Sequence, residues 1–532
     1  MTECTSSARK RRAVSERARD DIEGRRGVRP TRRLPGAKPT VIPMTADHEA
    51  RYRRATAEVP MTMRRLLLPA FLLLLLALPA SAVAARDQRV LFEAPRELRS
   101  DDASLRARTL DEIQGFGVNW MRVVLYWKDV APRPDTPALP RFDERDPASY
   151  DWTVYDRMIR EADARGMHLL ITISGPVPRW ATKAKADHVT RPSATRFGRF
   201  TEAVARRYGD VADAFAIWNE PNHPDFLMPQ WTGHGSHRQA TSAKLYRKLF
   251  QKGAAGLAAG GAARTPVLFG ETAPRGTSHV VHPLIFLRTA MCLDAHWHKR
   301  ASCHRLPADG YAHHAYTTRS GPYFVPPSPN DVTIGVLGRL NSALARAGRA
   351  GAVRKGLPIW LTEFGIQSFP DHLFGVSETT QAEYRAISER IAYDNPRVAM
   401  FSQYLMRDDL PVAGAASALQ RYGGFESGLR HSDGDPKRAY DGFRLPLVAI
   451  PGRTRTTLWG LVRPATGSTR VSIDYRPRGA TRWHVLKHDT TNARGVWTTT
   501  TSRRSDRRYR VRWSAPDGTR YAGPLTRVHR SP

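Results

Sequence analysis

The sequence predicts an α/β protein built on a (β/α)8 TIM barrel, with a small C-terminal all-β sandwich domain behind it. Three observations predict this. Between residues 88 and 445, eight short apolar runs alternate with amphipathic segments in a strand-then-helix order. The runs are apolar almost throughout, as parallel strands covered on both faces require. Past Leu445 the texture changes to short period-two stretches divided by Gly, Pro and Asn. An open doubly wound sheet is the competitor, but no glycine-rich phosphate loop follows the first strand.

In chain order the predicted strands are RVLFEA (89–94), NWMRVVLY (119–126), HLLITIS (168–174), AFAIWNE (214–220), PVLFGE (266–271), DGYAHHAY (309–316), PIWLTE (358–363) and VAMFSQYL (398–405). Helix-like stretches lie between them, among them ASLRARTLDEIQGFG, DWTVYDRMIREADARG, RFGRFTEAVARRYG and TQAEYRAISERIAY, several of them stopped by glycine. Residues 88–445 are the predicted barrel domain. Residues 450–532 read as strands TTLWGLVRP, TRVSIDYRP, WHVLKHD, VWTTTTS, RRYRVRW and TRYAG, a small antiparallel sandwich. Its role is either packing or carbohydrate and cell-wall binding through Trp459, Trp483, Trp497 or Trp513.

Residues 1–60 are Arg-rich without helical or strand periodicity, so no fold is expected there. Residues 61–85 carry a basic start at Arg64-Arg65, an apolar stretch from Leu66 to Leu78, and small residues at Ala80-Ser81-Ala82. That is the pattern of a signal peptide. Its apolar core, roughly 13 residues, is short of the ~20 needed to cross a bilayer, which favours cleavage over anchoring. A start at Met61 or Met63 would make the preceding residues a mis-assigned leader, and the protein is expected to be secreted or associated with the cell envelope.

With Cys4 in the leader, Cys292 and Cys303 remain as a pair. In an oxidising compartment a disulfide is expected there, worth about 3 kcal/mol. A metal site with His296, His298 and His304 is the competitor, but the spacing fits no zinc pattern, so no metal is expected. The formal net charge is +33. After residue 85 the chain keeps 66 basic and 42 acidic residues, mostly scattered Arg. A solvated basic surface accounts for this without nucleic acid, and the sharper reading is contact with an anionic cell envelope or acidic polysaccharide.

Chemistry enters with FAIWNEP. An apolar strand ends in Asn219-Glu220-Pro221, and PIWLTEFG ends the seventh strand candidate in Glu363 in the same manner. In a (β/α)8 barrel catalytic groups project from the C-terminal ends of strands, so the two glutamates would face each other across the mouth. Paired carboxylates are what glycosidic bond cleavage needs: one protonates the leaving oxygen while the other attacks or activates water.

WNEP and TEFG, within residues 88 to 445, resemble the motifs of clan A retaining glycoside hydrolases, especially the family 5 cellulase-like and family 39-like enzymes. The resemblance implies Glu220 as acid/base, Glu363 as nucleophile and Asn219 as holder of the sugar's 2-hydroxyl. Retaining pairs sit ~5–5.5 Å apart, and an ionised carboxylate at that range disfavours charge on its neighbour. Arg122 in NWMRVVLYW matches the arginine beside the nucleophile. His314 and Tyr316 in AHHAY match a His-x-Tyr pattern, in which the tyrosine hydroxyl bonds the nucleophile and the histidine lines the sugar site. His313 points to the other side and reads as structural.

Trp127 and Trp180 in loops after strands two and three, and Trp231 beyond strand four, are placed to stack on sugar. One departure from the resemblance is plain: the eighth strand end offers Gln403 and Tyr404 where such enzymes often carry a tryptophan. Glu271, ending strand five, reads as a substrate hydroxyl ligand or the partner of a nearby arginine. The expectation is an exported retaining β-glycoside hydrolase acting on a polysaccharide or oligosaccharide, with no cofactor and no nucleic-acid partner. A non-catalytic carbohydrate-binding or envelope-associated protein is the alternative.

Overall fold

A computed structural model describes residues 88–464 and 467–529. The N-terminal leader and signal segment lie outside the described residues. Among the described residues no helix is long and apolar enough to cross a membrane.

Eight parallel strands close into a barrel: β1 (Arg89–Glu93), β2 (Trp120–Tyr126), β3 (His168–Ser174), β4 (Ala214–Ile217), β5 (Val267–Thr272), β6 (Gly310–His314), β7 (Ile359–Glu363) and β8 (Val398–Tyr404). Neighbours in sequence are neighbours in the sheet, and β8 closes on β1 with Glu93 opposite Tyr404. All eight predicted strands are present. One difference matters for the site, because β4 stops at Ile217 and Trp218, Asn219 and Glu220 lie beyond its end.

A helix follows every strand: α1 (Ala103–Gly115), α2 (Thr153–Asp163), α3 (Ala194–Tyr208), α4 (Thr241–Leu257), α5 (Pro283–Ala290), α6 (Leu337–Arg349), α7 (Glu378–Tyr393) and α8 (Arg438–Arg444). Local chemistry starts several of them. Asp102 accepts from the amides of Ser104 and Leu105, and Ser193 and Ser377 cap α3 and α7 in the same way. On α2 the buried residues Tyr155, Met158, Ile159 and Ala162 form one helical face. Helices α3 and α4 approach closely because a Cβ on Gly256 would lie 2.0 Å from the carbonyl oxygen of Gly198. Sequence periodicity does not reveal α5 or α8. Both are short, and α5 buries five of its eight residues, leaving too little polar face for a helical period to show.

Strand alternation builds the lumen in layers. Its lower layer is apolar, formed by Leu91, Trp120, Leu170, Ala214, Leu268 and Met400, with Trp360 edge-on to Trp120 at 5.5 Å. Two residues further along the same strands, alternation brings Glu93, Arg122 and Thr172 to the same side. The barrel is thus plugged below and polar at its mouth.

Eight antiparallel strands follow: β9 (Leu447–Pro451), β10 (Arg455–Leu461), β11 (Arg470–Pro477), β12 (His484–Thr490), β13 (Val496–Ser502), β14 (Arg507–Ser514), β15 (Arg520–Ala522) and β16 (Thr526–Arg527). They make one sheet in the order β9-β10-β13 and a second in the order β12-β11-β14-β15, with β16 also on β14. Leu458, Trp497, Val471, Ile473, Val511 and Trp513 fill the space between them.

The first sheet docks on the barrel through Val448 and Trp459, which pack on Ala386 and Ile387 of α7. A buried Arg463–Glu389 ion pair reinforces that joint. Of the four tryptophans considered for glycan binding, Trp459, Trp497 and Trp513 are core residues, and Trp483 alone is half-exposed. Cys292 and Cys303, beyond α5, are disulfide-bonded with Cα atoms 6.3 Å apart.

Candidate active site at the barrel mouth

The site is organised around one buried cation. Arg122 has an inward position on β2 and no exposed side-chain surface. Its Nη1 donates to Glu363 Oε1 at 2.7 Å and to Glu93 Oε2 at 2.5 Å. Its Nη2 donates to Glu271 Oε2 and Asn219 Oδ1, both at 2.7 Å. Three carboxylates and an amide from four strand ends therefore share a single guanidinium. Burying such a cation is tolerable only when its donors are met in this way.

Backbone irregularity aims the acids. Between β5 and β6 the register shifts, with Gly270 opposite Ala312 but Thr272 opposite His313, which leaves Glu271 as the bulged residue. Glu271 takes a φ of 45° and turns inward, where it also accepts from Thr172 Oγ1 at 2.9 Å. Of its two expected roles, the structure shows the arginine partner. A second shift, between β6 and β7, sets His314 opposite Glu363.

Past the end of β4, Trp218 (φ 73°) and Glu220 (φ 40°) both enter the left-handed region. Each such non-glycine residue costs on the order of 1–3 kcal/mol, and strain of this kind persists where the surroundings over-determine it. Here Asn219 N–H donates to Ser174 Oγ, Glu220 N–H to the Glu271 carbonyl and Trp218 Nε1 to the Phe226 carbonyl. Glu220 is thus held by a pinned turn rather than by the strand itself.

Glu220, His314 and Glu363 come together at the mouth, with their nearest ligating atoms all within 4.8 Å of one another. His314 Nδ1 is 2.9 Å from Glu220 Oε1 and 3.5 Å from Glu363 Oε2. Tyr316 donates its hydroxyl to Glu363 Oε2 at 3.2 Å. The same three residues could hold a cation. Both carboxylates are nevertheless already engaged, Glu220 by His314 and Glu363 by Arg122 and Tyr316, which is an arrangement for proton and charge control.

Burial alone would push the Glu363 carboxyl up, but His314, Arg122 and the Tyr316 hydroxyl outweigh it and hold the group below its ordinary value. Burial disfavours charge on His314, yet Glu363 and Glu220 beside it raise its affinity for a proton above the usual imidazole. His313 behaves in the opposite way. It is buried between Thr272 and the Val332 carbonyl, which takes it down to about 3, so it is a neutral structural residue.

Glu93 is the group that sequence reasoning missed. Burial raises its carboxyl, Arg122 pulls it down, and the neighbouring Glu363 and Glu271 push it up again, leaving it at about 7. The signal was present, since Glu93 ends the first strand as Glu363 ends the seventh.

Two expectations about aromatic residues are corrected. Trp127 is fully buried, stacked on Phe200 of α3 at 5.0 Å and edge-on to Trp180 at 5.6 Å. Trp180 is 2% exposed and donates Nε1 to the Pro132 carbonyl. Both fill the space where the loops after β2 and β3 meet α3, so neither offers a ring face to sugar. Trp231 is half-buried in a short ribbon, with Arg238 over its ring at 4.1 Å.

Aromatic groups at the mouth include Tyr316, Tyr404 and Phe425. Phe425 lies 5.9 Å from Tyr316 and edge-on to Tyr404 at 5.3 Å. Gln403, beside Tyr404, points away and bonds Arg385 and the Leu405 and Ser427 carbonyls.

No family model matches the chain. No curated protein matches it either. Among solved structures it is similar to a family 39 glycoside hydrolase from the gut symbiont Bacteroides cellulosilyticus, with 15% identity, 79% of this chain and 82% of that one covered, and a TM-score of 0.45. It is also similar to a glucosidase from Croceicoccus marinus, with 13% identity, coverage of 85% and 97%, and a TM-score of 0.48. A β-glucuronidase from Bacteroides uniformis shares 12% identity over 85% of this chain at a TM-score of 0.42, and the chain spans 46% of its length.

Proposed function

We propose that the protein is a retaining β-glycoside hydrolase that cleaves O-glycosidic bonds in a β-linked polysaccharide or oligosaccharide. The observation that carries this is the pair Glu220 and Glu363, with carboxylate oxygens within 4.8 Å of each other at the barrel mouth. A pair this close leaves no room for a water between carboxylate and sugar, so direct attack is the route it favours.

In the first step Glu363 Oε attacks the anomeric carbon as Glu220 gives its proton to the leaving oxygen, forming a glycosyl-enzyme ester. In the second, Glu220 takes a proton from water, which displaces Glu363 and restores both groups with net retention. Arg122 and Tyr316 keep Glu363 ionised for attack. The His314 bond to Glu220 orients the acid, and the Asn219 side chain is placed to meet the sugar's 2-hydroxyl. Glucan, mannan and xylan are the substrate classes to try first. The signal-peptide pattern at residues 61–85 supports action outside the cell.

The test is release of product from β-glucans, mannans, xylans and aryl β-glycosides, comparing wild type with Glu220→Gln and Glu363→Gln. Both variants should lose at least ~10²–10⁴-fold. An aryl glycoside with a good leaving group should rescue formation of the glycosyl-enzyme in Glu220→Gln alone. Variants as active as wild type would defeat the proposal. Glycan binding without hydrolysis by wild type would favour the non-catalytic reading.

A further inference from the structure

Net charge is unevenly spread along the chain. Residues 86–446 hold 48 basic and 38 acidic residues, whereas residues 447–532 hold 18 basic and 4 acidic. Over half of the excess after residue 85 therefore lies in the last sixth of the sequence.

The second antiparallel sheet concentrates part of that excess on one face. Along β14 the residues Tyr509, Val511 and Trp513 are buried, while Arg508, Arg510 and Arg512 alternate outward. On β11 the register sets Arg476 opposite Arg508, Asp474 opposite Arg510 and Ser472 opposite Arg512. Arg470 is exposed at the start of the same strand. Trp483 lies on this side too, with Arg476 and Arg510 over its ring at 4.8 and 4.3 Å.

The single acid in this ladder shows what the face can bind. Arg512 Nε and Nη2 grip the two oxygens of Asp474 at 2.7 and 3.1 Å, and Arg510 Nε adds a third bond at 3.0 Å. Two guanidinium groups meet one carboxylate, so the face keeps a net positive charge while displaying a bidentate Arg–carboxylate fork.

We propose that this face of the C-terminal sheet is a docking surface for an acidic polysaccharide, a carboxylate-bearing glycan laid across β11 and β14. The occupant is argued from charge complementarity and from the fork already formed with Asp474. Single-stranded nucleic acid would need open aromatic platforms, but Trp483 is covered by two guanidinium groups and Tyr475 has Arg507 over it at 4.0 Å. A flat sheet face also lacks the protruding element that enters a duplex groove. A flexible acidic chain needs neither. The inference stands whether or not the barrel mouth is catalytic.

The test uses the full chain and three probes: polygalacturonate, neutral dextran and duplex DNA, each at low and near-physiological salt. Arg470→Gln/Arg476→Gln/Arg508→Gln removes charge from the face and leaves both partners of Asp474 in place. A control triple on the barrel, Arg305→Gln/Arg349→Gln/Lys355→Gln, removes as much charge from exposed positions elsewhere. Thermal melting establishes that both triples fold as wild type does.

Wild type should bind polygalacturonate with a strong salt dependence and ignore dextran. The sheet triple should bind roughly tenfold more weakly or worse, with a shallower salt slope, and the control triple should match wild type. Equal losses in the two triples would overturn the assignment, leaving only diffuse charge. Retained affinity in the sheet triple would overturn it as well. Duplex DNA bound as tightly as polygalacturonate, and lost in the same variant, would exclude a glycan-selective face.

Discussion

Replacing Glu93 by Gln should remove the pH dependence that this residue gives to folding. In the folded protein its carboxyl is raised from 4.5 to about 7 by burial in the company of Glu363 and Glu271. A carboxyl raised by that much corresponds to about 3 kcal/mol, at ~1.36 kcal/mol per pH unit. The sign follows from proton counting. Between pH 4.5 and 7 the folded state keeps this proton and the unfolded state has lost it, so stability falls as pH rises through that window. Above pH 7 the whole penalty is in place.

A glutamine keeps the shape and can still accept from Arg122, but it has no proton to lose. Arg122 remains the charged donor of that bond, so in the protonated state only a small difference in acceptor strength separates the two side chains. At pH 5, where Glu93 is protonated in the folded state, the variant should therefore be equal to or slightly less stable than wild type. By pH 8 the balance should have moved in its favour by up to ~3 kcal/mol. Urea midpoints of the two proteins at pH 5, 6, 7 and 8 measure this directly. Other buried acids with raised values, such as Glu97 and Glu426, cancel in the difference. Parallel stability curves would refute the reasoning, because Glu93 would then be ionised throughout, fully compensated by Arg122.

Other perturbations test the remaining parts of the site. Arg122→Met strands three carboxylates and should destabilise the protein by about 3–5 kcal/mol, more at pH 8 than at pH 5, as read in the same urea titrations. In Tyr316→Phe the Glu363 carboxyl loses a hydrogen bond that holds it low. The acid limb of the kcat/KM profile should then move to higher pH, while an unchanged limb would remove Tyr316 from the control of Glu363. Trp127→Ala should cost about 3–5 kcal/mol of stability and leave KM for glycosides unchanged at a permissive temperature, since the ring packs on Phe200 rather than on sugar. A raised KM with little loss of stability would restore the original expectation for that residue.

How much of this was legible in the sequence depends on what each inference asked of it. The eight strands were readable because both faces of a barrel strand are covered, so each leaves an apolar run that survives without knowledge of its neighbours. Glu220 and Glu363 stood out because a carboxylate at the end of such a run conflicts with its surroundings. Glu93 ends the first strand in the same way, and the period-two step from Leu91 places it inward, yet it has no flanking motif to draw attention to it. The tryptophans failed for another reason. Whether Trp127 faces the mouth or α3 is decided by how the loops after β2 and β3 fold back, which depends on residues far apart in the chain, Phe200 and Pro132 among them.

The glutamates themselves carry a further lesson about that limit. The expectation put Glu220 on the last position of a strand, projecting from its C-terminal end. In the structure β4 has already ended, and Glu220 is aimed by two left-handed residues and three hydrogen bonds to β3, β5 and a loop. Glu363 and Glu271 likewise depend on register shifts between strands rather than on simple alternation. A bulge is a relation between two strands, so neither strand's own sequence contains it. The residue types and their order were legible because chemistry selects them locally. How the backbone aims them was not, because it comes from three irregularities that each require a partner strand to exist.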